Sequence, residues 1–506
     1  MIVWGITGNS HDASLSVFEV KPKNYKAGIT YDFTCIDEPR LLFSSHSERF
    51  SGIKNDGDLN EGLIKYAMFY GRPSRIFWYE KPFIKSIRQL RAGQGICFAE
   101  NNIQKYLAKY GINVPIVYVP HHHSHAAAGY FTSEFRDATI VCLDSIGEFE
   151  TFTIWKANDQ KLKKIFSQSY PHSVGLWYSA MTQRIGLKPQ EDEYILMGMA
   201  AYGNPWKYYT NIINDFFLKL PSWDDPRVLF KKNLHQGCQH WRLDISKPQQ
   251  LFDIAASTQM IYEHILNAIL GHAKRLNKST NLVLMGGCAL NCSANHLAYK
   301  YFDNVWIMPS PGDAGSSIGA VLAKYQQHIE WTGPFLGYDI IKPYPVDSII
   351  DELLTNGIVG VANGKAEFGP RALGNRSLLA DPRGHDIKDR VNKIKRRQEF
   401  RPFAPAILAE ESSNYFSGHA NPYMQYTSQS RYPDLYPAIS HVDNTSRVQT
   451  VSHNDNEGFR KLLEEWFKRT GCPMLLNTSL NIKGKPIVND EKDAKDFEEF
   501  YGVKVF

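Results

Sequence analysis

Residues 1–20 read MIVWGITGNSHDASLSVFEV. Two apolar runs, IVWGIT and ASLSVFEV, flank GNSHD, whose small and polar residues form tight connections, so the chain opens strand, turn, strand. Outward from there, short apolar runs alternate with helix-spaced stretches. LNEGLIKYAMFYG (59–71), NIQKYLAKYG (102–111) and HSHAAAGYFTS (123–133) read as helices. RIFWYE (75–80), IVYVP (116–120), ATIVCLD (138–144), NLVLMGG (281–287) and NVWIMP (304–309) read as strands. QLFDIAASTQMIYEHILNAILGHAKRL (250–276) gives the longest expected helix. This alternation predicts an α/β fold with buried strands. No repeat of fixed period shows in the sequence.

The chain has 506 residues, 43% hydrophobic and 22% charged, which excludes a largely disordered protein. That length fits three ordinary domains or two larger ones. WTGPFLGYDIIKPYPVD (331–347) gathers Gly, Pro and aromatic residues without periodicity, and divides the chain into 1–340 and 341–506. The net charge of +5 permits a polyanionic partner without demanding one. No apolar run is long enough for a membrane span, and the N-terminus lacks the pattern of a signal peptide. The 7 cysteines are scattered, with no Cys-x-x-Cys, so a reduced, cytoplasmic setting is expected.

Several stretches carry chemistry. In GITGNSHDAS (5–14), His11 and Asp12 sit at the tip of a turn whose backbone N–H groups can hold phosphate oxygens; the plain alternative is a polar hairpin. In VPHHHSHAAAGYFTS, His121 and His125 are four apart and share one helix face, as a ligand pair or as a surface cluster. Asp144 ends an apolar strand, where α/β folds place metal and phosphate ligands or an ordinary cap. LMGGCALNCSANH (284–296) and PSPGDAGSSIGA (309–320) put glycines before helix starts, where backbone can approach a ligand; Asp313 there is a cap or a metal ligand. EFGPRALGNRSLLADPRG (367–384) and KIKRRQEFRPFAPAIL (393–408) hold arginines among Gly, Pro and Phe, an arrangement suited to bidentate contact with phosphate or carboxylate. Arg447, Asn477, Asn481 and Lys483 stand beside short strands in HVDNTSRVQTV (441–451) and MLLNTSLNIKGKPIV (474–488).

In order along the chain, HDAS, SERFSGIK, HHHSHA, DSIGE, YILMGMAAYG, GGCALN, PGDAGSSIGA, EFGPRALGNRS, KRRQEFRPFAP, HVDNTSRVQT and NTSLNIKGKPIV resemble the nodulation-type and antibiotic-biosynthesis O-carbamoyltransferases. The resemblance implies a large actin-like ATPase-type domain followed by a smaller α/β domain similar to threonylcarbamoyl-adenylate synthase. It implies that the smaller domain converts carbamoyl phosphate to carbamate, which passes internally to the larger one. There carbamate attacks ATP, giving carbamoyl adenylate and pyrophosphate, and an acceptor hydroxyl displaces AMP.

Carried onto this sequence, the resemblance makes His121, His125, Asp313 and Asp144 a site for divalent iron, manganese or magnesium. Lys54, Ser145, Gly286, Gly287 and Asn291 would contact ATP. His11 is the candidate general base for the acceptor hydroxyl, with orientation of a phosphate as its rival role. Arg371, Lys395, Arg401, Arg447, Asn477 and Lys483 would hold carbamoyl phosphate. The sequence departs from the family pattern at Gln398, where an acid is usual, and at Leu480 and Lys483, where Phe and Arg are usual; Lys keeps the charge but loses the bidentate fork.

Family acceptors are mostly sugars and antibiotic scaffolds, and for some virus-associated relatives hydroxymethylated pyrimidines of DNA. Two segments here mix basic and aromatic residues, RVLFKKNLHQGCQHWRLDISK (227–247) and PYMQYTSQSRYPDLYP (422–437). They fit phosphate contact and base stacking, which keeps 5-hydroxymethylcytosine in DNA among the expected acceptors, and they fit plain loop packing equally. A homodimer is the base-rate expectation. The rival classes are a tRNA threonylcarbamoyl-transfer enzyme and a non-catalytic nucleotide-dependent binding protein.

Overall fold

The computed structural model describes residues 1–21 and 38–506; Cys35 lies outside the described residues. The opening hairpin forms as expected: Ile2–Thr7 pairs antiparallel with Ser14–Lys21, in register from Ile2 opposite Glu19 to Thr7 opposite Ser14. Glu38–His46 extends this meander, and Arg75–Trp78 and Ile116–Tyr118 add parallel strands on the other side of Ile2–Thr7.

A second sheet repeats that plan. Asp137–Gly147, Glu150–Asn158 and Lys161–Ser169 form an antiparallel meander, and Asn281–Met285 and Asn304–Trp306 add parallel to Asp137–Gly147. Both sheets therefore have five strands in the same order, with the first strand central. Each is followed by a helix, His121–Phe131 after the first and Ser316–Tyr325 after the second. The duplication is one of topology, which is why the sequence shows no repeat.

The two helices lie between the sheets. Ser317 of the second helix shares a 2.6 Å hydroxyl contact with Ser16 of the first sheet. His122 of the first helix makes a 2.9 Å hydrogen bond with Thr153 of the second. The helices approach closely because Gly319 faces the Ser124 carbonyl; a Cβ there would lie 1.8 Å from that oxygen. Their Ala-rich faces join Val3, Trp4 and Ile6 of one sheet and Val283 and Met285 of the other in one buried core.

The far face of the second sheet is covered by Val174–Arg184 and by Pro248–Leu276, a helix of 29 residues matching the sequence expectation. Pro248 starts the latter without an N–H to satisfy, Gln250 accepts the Lys247 N–H at 3.0 Å, and Lys274 and Arg275 suit its C-terminal turn.

The C-terminal part carries a mixed sheet ordered Ile358–Ala362, Arg376–Ala380, Met474–Ser479, Ala404–Leu408, Gln449–Val451, with only the last pair parallel. Val346–Asn356 and Glu457–Thr470 cover one face, Ile387–Lys395 and Glu491–Tyr501 the other. The aperiodic stretch 331–347 holds a strand, Phe335–Ile340, which pairs antiparallel with Gly364–Glu367. Its pattern is masked because Gly337 sits where a Cβ would press on Ala366, so the strand lacks regular alternation. Among the described residues no helix is long and apolar enough to cross a membrane.

Candidate metal and anion sites

Four elements converge at the helix ends between the sheets. His121 and His125 come from the first turns of His121–Phe131, one turn apart and on one face. Asp313 comes from the tight turn before Ser316–Tyr325, and Asp144 from the central strand of the second sheet. The pairing register of that strand shifts between Leu143 and Gly147, an irregularity that re-aims the side chains there. The turn holding His11 closes the group from the first sheet.

His121 Nε2 is 3.3 Å from both Asp144 Oδ2 and Asp313 Oδ1, and His125 Nε2 is 3.3 Å from Asp313 Oδ1. The two Nε2 atoms are 3.0 Å apart. One ligand atom from each of the four residues lies within 4.8 Å of the others, and all four side chains are buried. Asp313 thus directs its carboxylate to the histidines. Gly147 has no room for a side chain: a Cβ would lie 2.1 Å from the His121 ring.

Charge makes the set interdependent. Burial opposes a charged His121, but Asp313 and Asp144 outweigh it and hold its pKa well above the usual histidine range. Burial likewise opposes ionised Asp144, and hydrogen bonds from His121 and His125 hold it well below the carboxylate range. Asp313 is lowered against burial by the same histidines. Two imidazoles and two carboxylates aimed at one point form a donor set that fits a divalent cation, which would replace the protons now shared among them. The Nδ1 atoms of both histidines are buried without partners among the described residues, so the carboxylates, not a hydrogen bond from behind, orient the rings.

His11 is partly exposed, 3.7 Å from Asp313 Oδ2 through Nε2 and 3.4 Å from Asp12 Oδ2 through Nδ1. Its pKa rises to about 9: burial pulls down, and Asp12 and Asp313 more than compensate. His122, by contrast, is buried and kept neutral, first by burial and then by the neighbouring histidines.

Of the expected nucleotide residues, Gly286, Gly287 and Ser145 adjoin Asp144 of this cluster. Gly287 donates its N–H to Asp144 Oδ1 at 3.1 Å, and Gly286 precedes it in the same turn. Ser145 follows Asp144, and its carbonyl accepts the Ser173 hydroxyl at 2.6 Å at the start of Val174–Arg184. Asn291 is locked in a reciprocal pair with Gln259, at 2.9 and 3.0 Å. Lys54 donates to both Glu48 oxygens at 3.1 Å, in a loop whose Asp56 carbonyl accepts the Ala13 N–H beside the His11 turn.

The C-terminal cations divide into two kinds. Arg376 is fully buried and donates to the carbonyls of Tyr338, Asn363, Gly364, Asn375 and Asn489. Arg383 is paired with Asp381 at 2.7 Å. Arg397 lies 3.8 Å over the Phe403 ring and bonds Asn392 Oδ1 at 2.7 Å. Lys395 donates to the Ser479 carbonyl and, at 2.9 Å, to Asn481 O and Oδ1, so its ammonium orders the loop after Met474–Ser479. Lys483 is exposed, and its N–H bonds the Lys395 carbonyl at 2.9 Å.

Arg371, Arg401 and Arg447 are different. Arg447 and Arg401 lie close enough to Arg371 to lower it, Arg447 likewise lowers Arg401, and none of the three is ion-paired with a carboxylate among the described residues. Burial and then Arg447 bring Arg371 down to about 9. Arg447 Nε is buried without a partner, and Arg401 lies 4.7 Å over the Tyr194 ring. Asn477 donates to the Ala372 carbonyl at 3.1 Å, next to Arg371, while its own Oδ1 is unpartnered. Three uncompensated cations at one place form a site for a dianion such as a phosphoryl group. Tyr194 and Cys292, both before the sequence-drawn boundary, stand beside Arg371, so residues from both parts of the chain build this site. Sequence reading passed over Tyr194, although it opens the quoted YILMGMAAYG stretch.

Several side chains of the basic and aromatic segments make contacts within the fold, while Arg227, Lys231, Lys232, Arg242, Arg431 and Tyr432 stay exposed. Arg227 pairs with Asp225 at 2.7 Å, Lys232 covers the Phe216 ring, and Trp241 donates to Asp215 at 2.8 Å. Arg431 donates to the Ser413 carbonyl at 3.1 Å, and Tyr426 and Tyr436 are buried.

A buried N/O donor cluster and a group of arginines with no paired carboxylate suit a protein that handles anions. Family models described as carbamoyltransferase N-terminus and C-terminus match residues 78–322 and 350–505, and the chain belongs to the carbamoyltransferase family. It is 31% identical to the uncharacterized protein sll1178 of Synechocystis sp., covering 90% of each chain. It is 33% identical to nodulation protein NolO of Bradyrhizobium diazoefficiens over 74% of this chain and 75% of that one. Nodulation protein U of Sinorhizobium fredii is 36% identical over 46% of each. A crystal structure of full-length HypF in a phosphate- and nucleotide-bound form overlays with a TM-score of 0.35 at 12% identity, covering 64% of this chain and 55% of that one, too distant to carry an argument.

Proposed function

We propose that this carbamoyltransferase uses carbamoyl phosphate and ATP in two separate sites. The single observation that supports it most is the division of charge: one site gathers acids and imidazoles, a set suited to a cation, and the other gathers arginines, a set suited to an anion. The two sheets of equal strand order, with a helix pair between them, support the actin-like reading of the larger part.

At the arginine site, Arg371, Arg401 and Arg447 bind the phosphoryl end of carbamoyl phosphate. Water releases phosphate and carbamate there. At the helix-end site, the carbamate oxygen attacks the α-phosphorus of ATP, pyrophosphate leaves, and carbamoyl adenylate forms. The acceptor oxygen then attacks the carbamoyl carbon, AMP leaves, and the acceptor proton passes to a base. His121, His125, Asp144 and Asp313 would hold a divalent metal, which neutralises phosphate charge when bound. His11 stands at the edge of that cluster, positioned to take the acceptor proton once the neighbouring carboxylates are engaged by the metal. The Gly286–Gly287 turn and Ser145 lie beside Asp144, where the nucleotide phosphates are bound.

For the acceptor, a sugar or small-scaffold hydroxyl and 5-hydroxymethylcytosine in DNA both stand; the latter draws on the basic segments, whose Arg227, Lys231, Lys232, Arg242 and Arg431 are exposed. The test is incubation with carbamoyl phosphate, ATP, each of iron(II), manganese and magnesium, and an acceptor panel of sugars, nucleosides and DNA containing 5-hydroxymethylcytosine. AMP and a carbamoylated product that both require carbamoyl phosphate are expected. Product formation without ATP consumption would refute the adenylate route.

A further inference from the structure

The helix Pro82–Arg91 and the start of the helix Ile103–Ala108 enclose a groove that the mechanism above does not use. Its volume is about 630 Å³, within the range of ligand sites, and its walls include Lys81, Phe83, Phe98, Asn101 and Tyr118. The rings are turned outward: Phe83 is 67% exposed, and Phe98 and Tyr118 are 40% exposed. Phe83 and Phe98 are 5.7 Å apart and tilted by 52°, so they do not lie flat on one another. Exposed rings gathered in a concave wall mark a binding surface.

The charge of this region is one-sided. Lys85 is buried and paired with Glu80 at 2.7 Å, and Arg88 is turned to the Glu148 carbonyl and the Gln94 side chain. Lys81, Arg91, Lys105 and Lys109 are exposed and form no ion pair among the described residues. From 81 to 112 the one acid is Glu100. Glu148 lies within electrostatic reach of Lys81, but it is buried and accepts the Lys81 backbone N–H at 2.6 Å. Lys81 and Arg91 stand at opposite ends of a helix of 10 residues, about 15 Å apart along its axis, a span wider than a single phosphate.

The groove adjoins the His11 turn. Asn101, 7% exposed, accepts the Asn9 side-chain amide at 3.3 Å, the Glu100 carbonyl accepts it at 3.0 Å, and Lys85 donates to the Asn9 carbonyl at 2.9 Å. His11 follows Asn9 by two residues, at most roughly 7 Å of extended chain.

We propose that this groove binds a single-stranded polynucleotide next to the acceptor position. Phe83, Phe98 and Tyr118 stack on bases flanking the acceptor nucleoside, Lys81 and Arg91 meet the flanking phosphates, and the acceptor hydroxyl reaches His11. The inference deepens the acceptor reading above and rests on it for the position of the chemistry. No bond forms or breaks in the groove. A neutral sugar has no charge to answer the exposed cations, and a duplex keeps its base faces covered.

The test uses the full-length protein and a short fluorescein-labelled oligo-dT strand, read by anisotropy over a range of salt concentrations. Wild-type protein should bind the strand, less tightly as salt rises. Phe83→Ala should weaken binding about fivefold or more, the scale of one lost stack, and leave unchanged the binding of heparin, a polyanion without bases. Lys81→Ala should weaken both and lower the slope of log affinity against log salt by about 1. Replacing Lys231 and Lys232 by Ala, in a basic stretch outside the groove, should leave strand binding as in the wild type. Melting temperatures equal to the wild type's would show that the variants are folded. A wild-type protein that does not bind the strand, or binding that survives both groove variants, would overturn the proposal. So would displacement of the strand by maltotetraose, which would give the groove to a neutral sugar. Strand binding at the groove by a protein that forms no AMP from carbamoyl phosphate and ATP would instead refute the adenylate reading and leave the groove assignment standing.

Discussion

The donor cluster is buried and the arginine site half-buried, both are charged, and they resolve that charge differently. In the cluster, His121 and His125 are paired with Asp144 and Asp313, so each sign stabilises the other and pKa values move apart. At the arginine site, Arg371, Arg401 and Arg447 share one sign: Arg447 and Arg401 lower Arg371, and Arg447 lowers Arg401. The first arrangement persists by sharing protons and gives them up to a cation. The second is balanced only by an anion. The sign of the ligand that each site suits is therefore set by the charges the site gathers.

The largest effect should come from the cluster. Asp313→Asn removes a carboxylate that meets both histidines, and should lower affinity for divalent metal by at least about 100-fold, measured by metal content after dialysis, since even indirect partners contribute up to that much. Transfer to any acceptor should be lost with it. Metal binding unchanged in Asp313→Asn would break the comparison at its first half.

His11→Ala should reduce carbamoyl transfer by about a hundred- to ten-thousand-fold, the range of a general base, while carbamoyl phosphate hydrolysis continues. Retained transfer would remove His11 from the mechanism and leave the cluster to act alone.

Arg371→Lys keeps a cation at the second site and removes the planar fork. The KM for carbamoyl phosphate should rise about 10- to 100-fold, the value of a charged hydrogen bond or two. Lys483→Met should change it by no more than about twofold, because an exposed ammonium contributes little. Equal effects from the two would mean that net charge, and not the unpaired arginines, recruits the substrate.

Much of this was legible in the sequence. The hairpin of residues 1–20, the buried strands and the helix 250–276 follow from apolar spacing, because each is a local pattern. Spacing gave part of the cluster, since four residues between His121 and His125 fix their common face and Asp144 and Asp313 stand at the ends of elements; joining the four came from the family resemblance. What could not be read is what depends on distance in the fold. The equal strand order of the two sheets leaves no periodic trace. Arg376, Arg383 and Lys395 look like Arg371 in sequence, and only the structure shows their donors turned to backbone carbonyls and to Asp381.

The separation of the two sites is tested most directly by one rate: phosphate release from carbamoyl phosphate by Asp313→Asn in the absence of ATP. The account predicts the wild-type rate, since the arginine site does not use the donor cluster. A rate that falls in parallel with carbamoyl transfer would contradict it and merge the two sites into one.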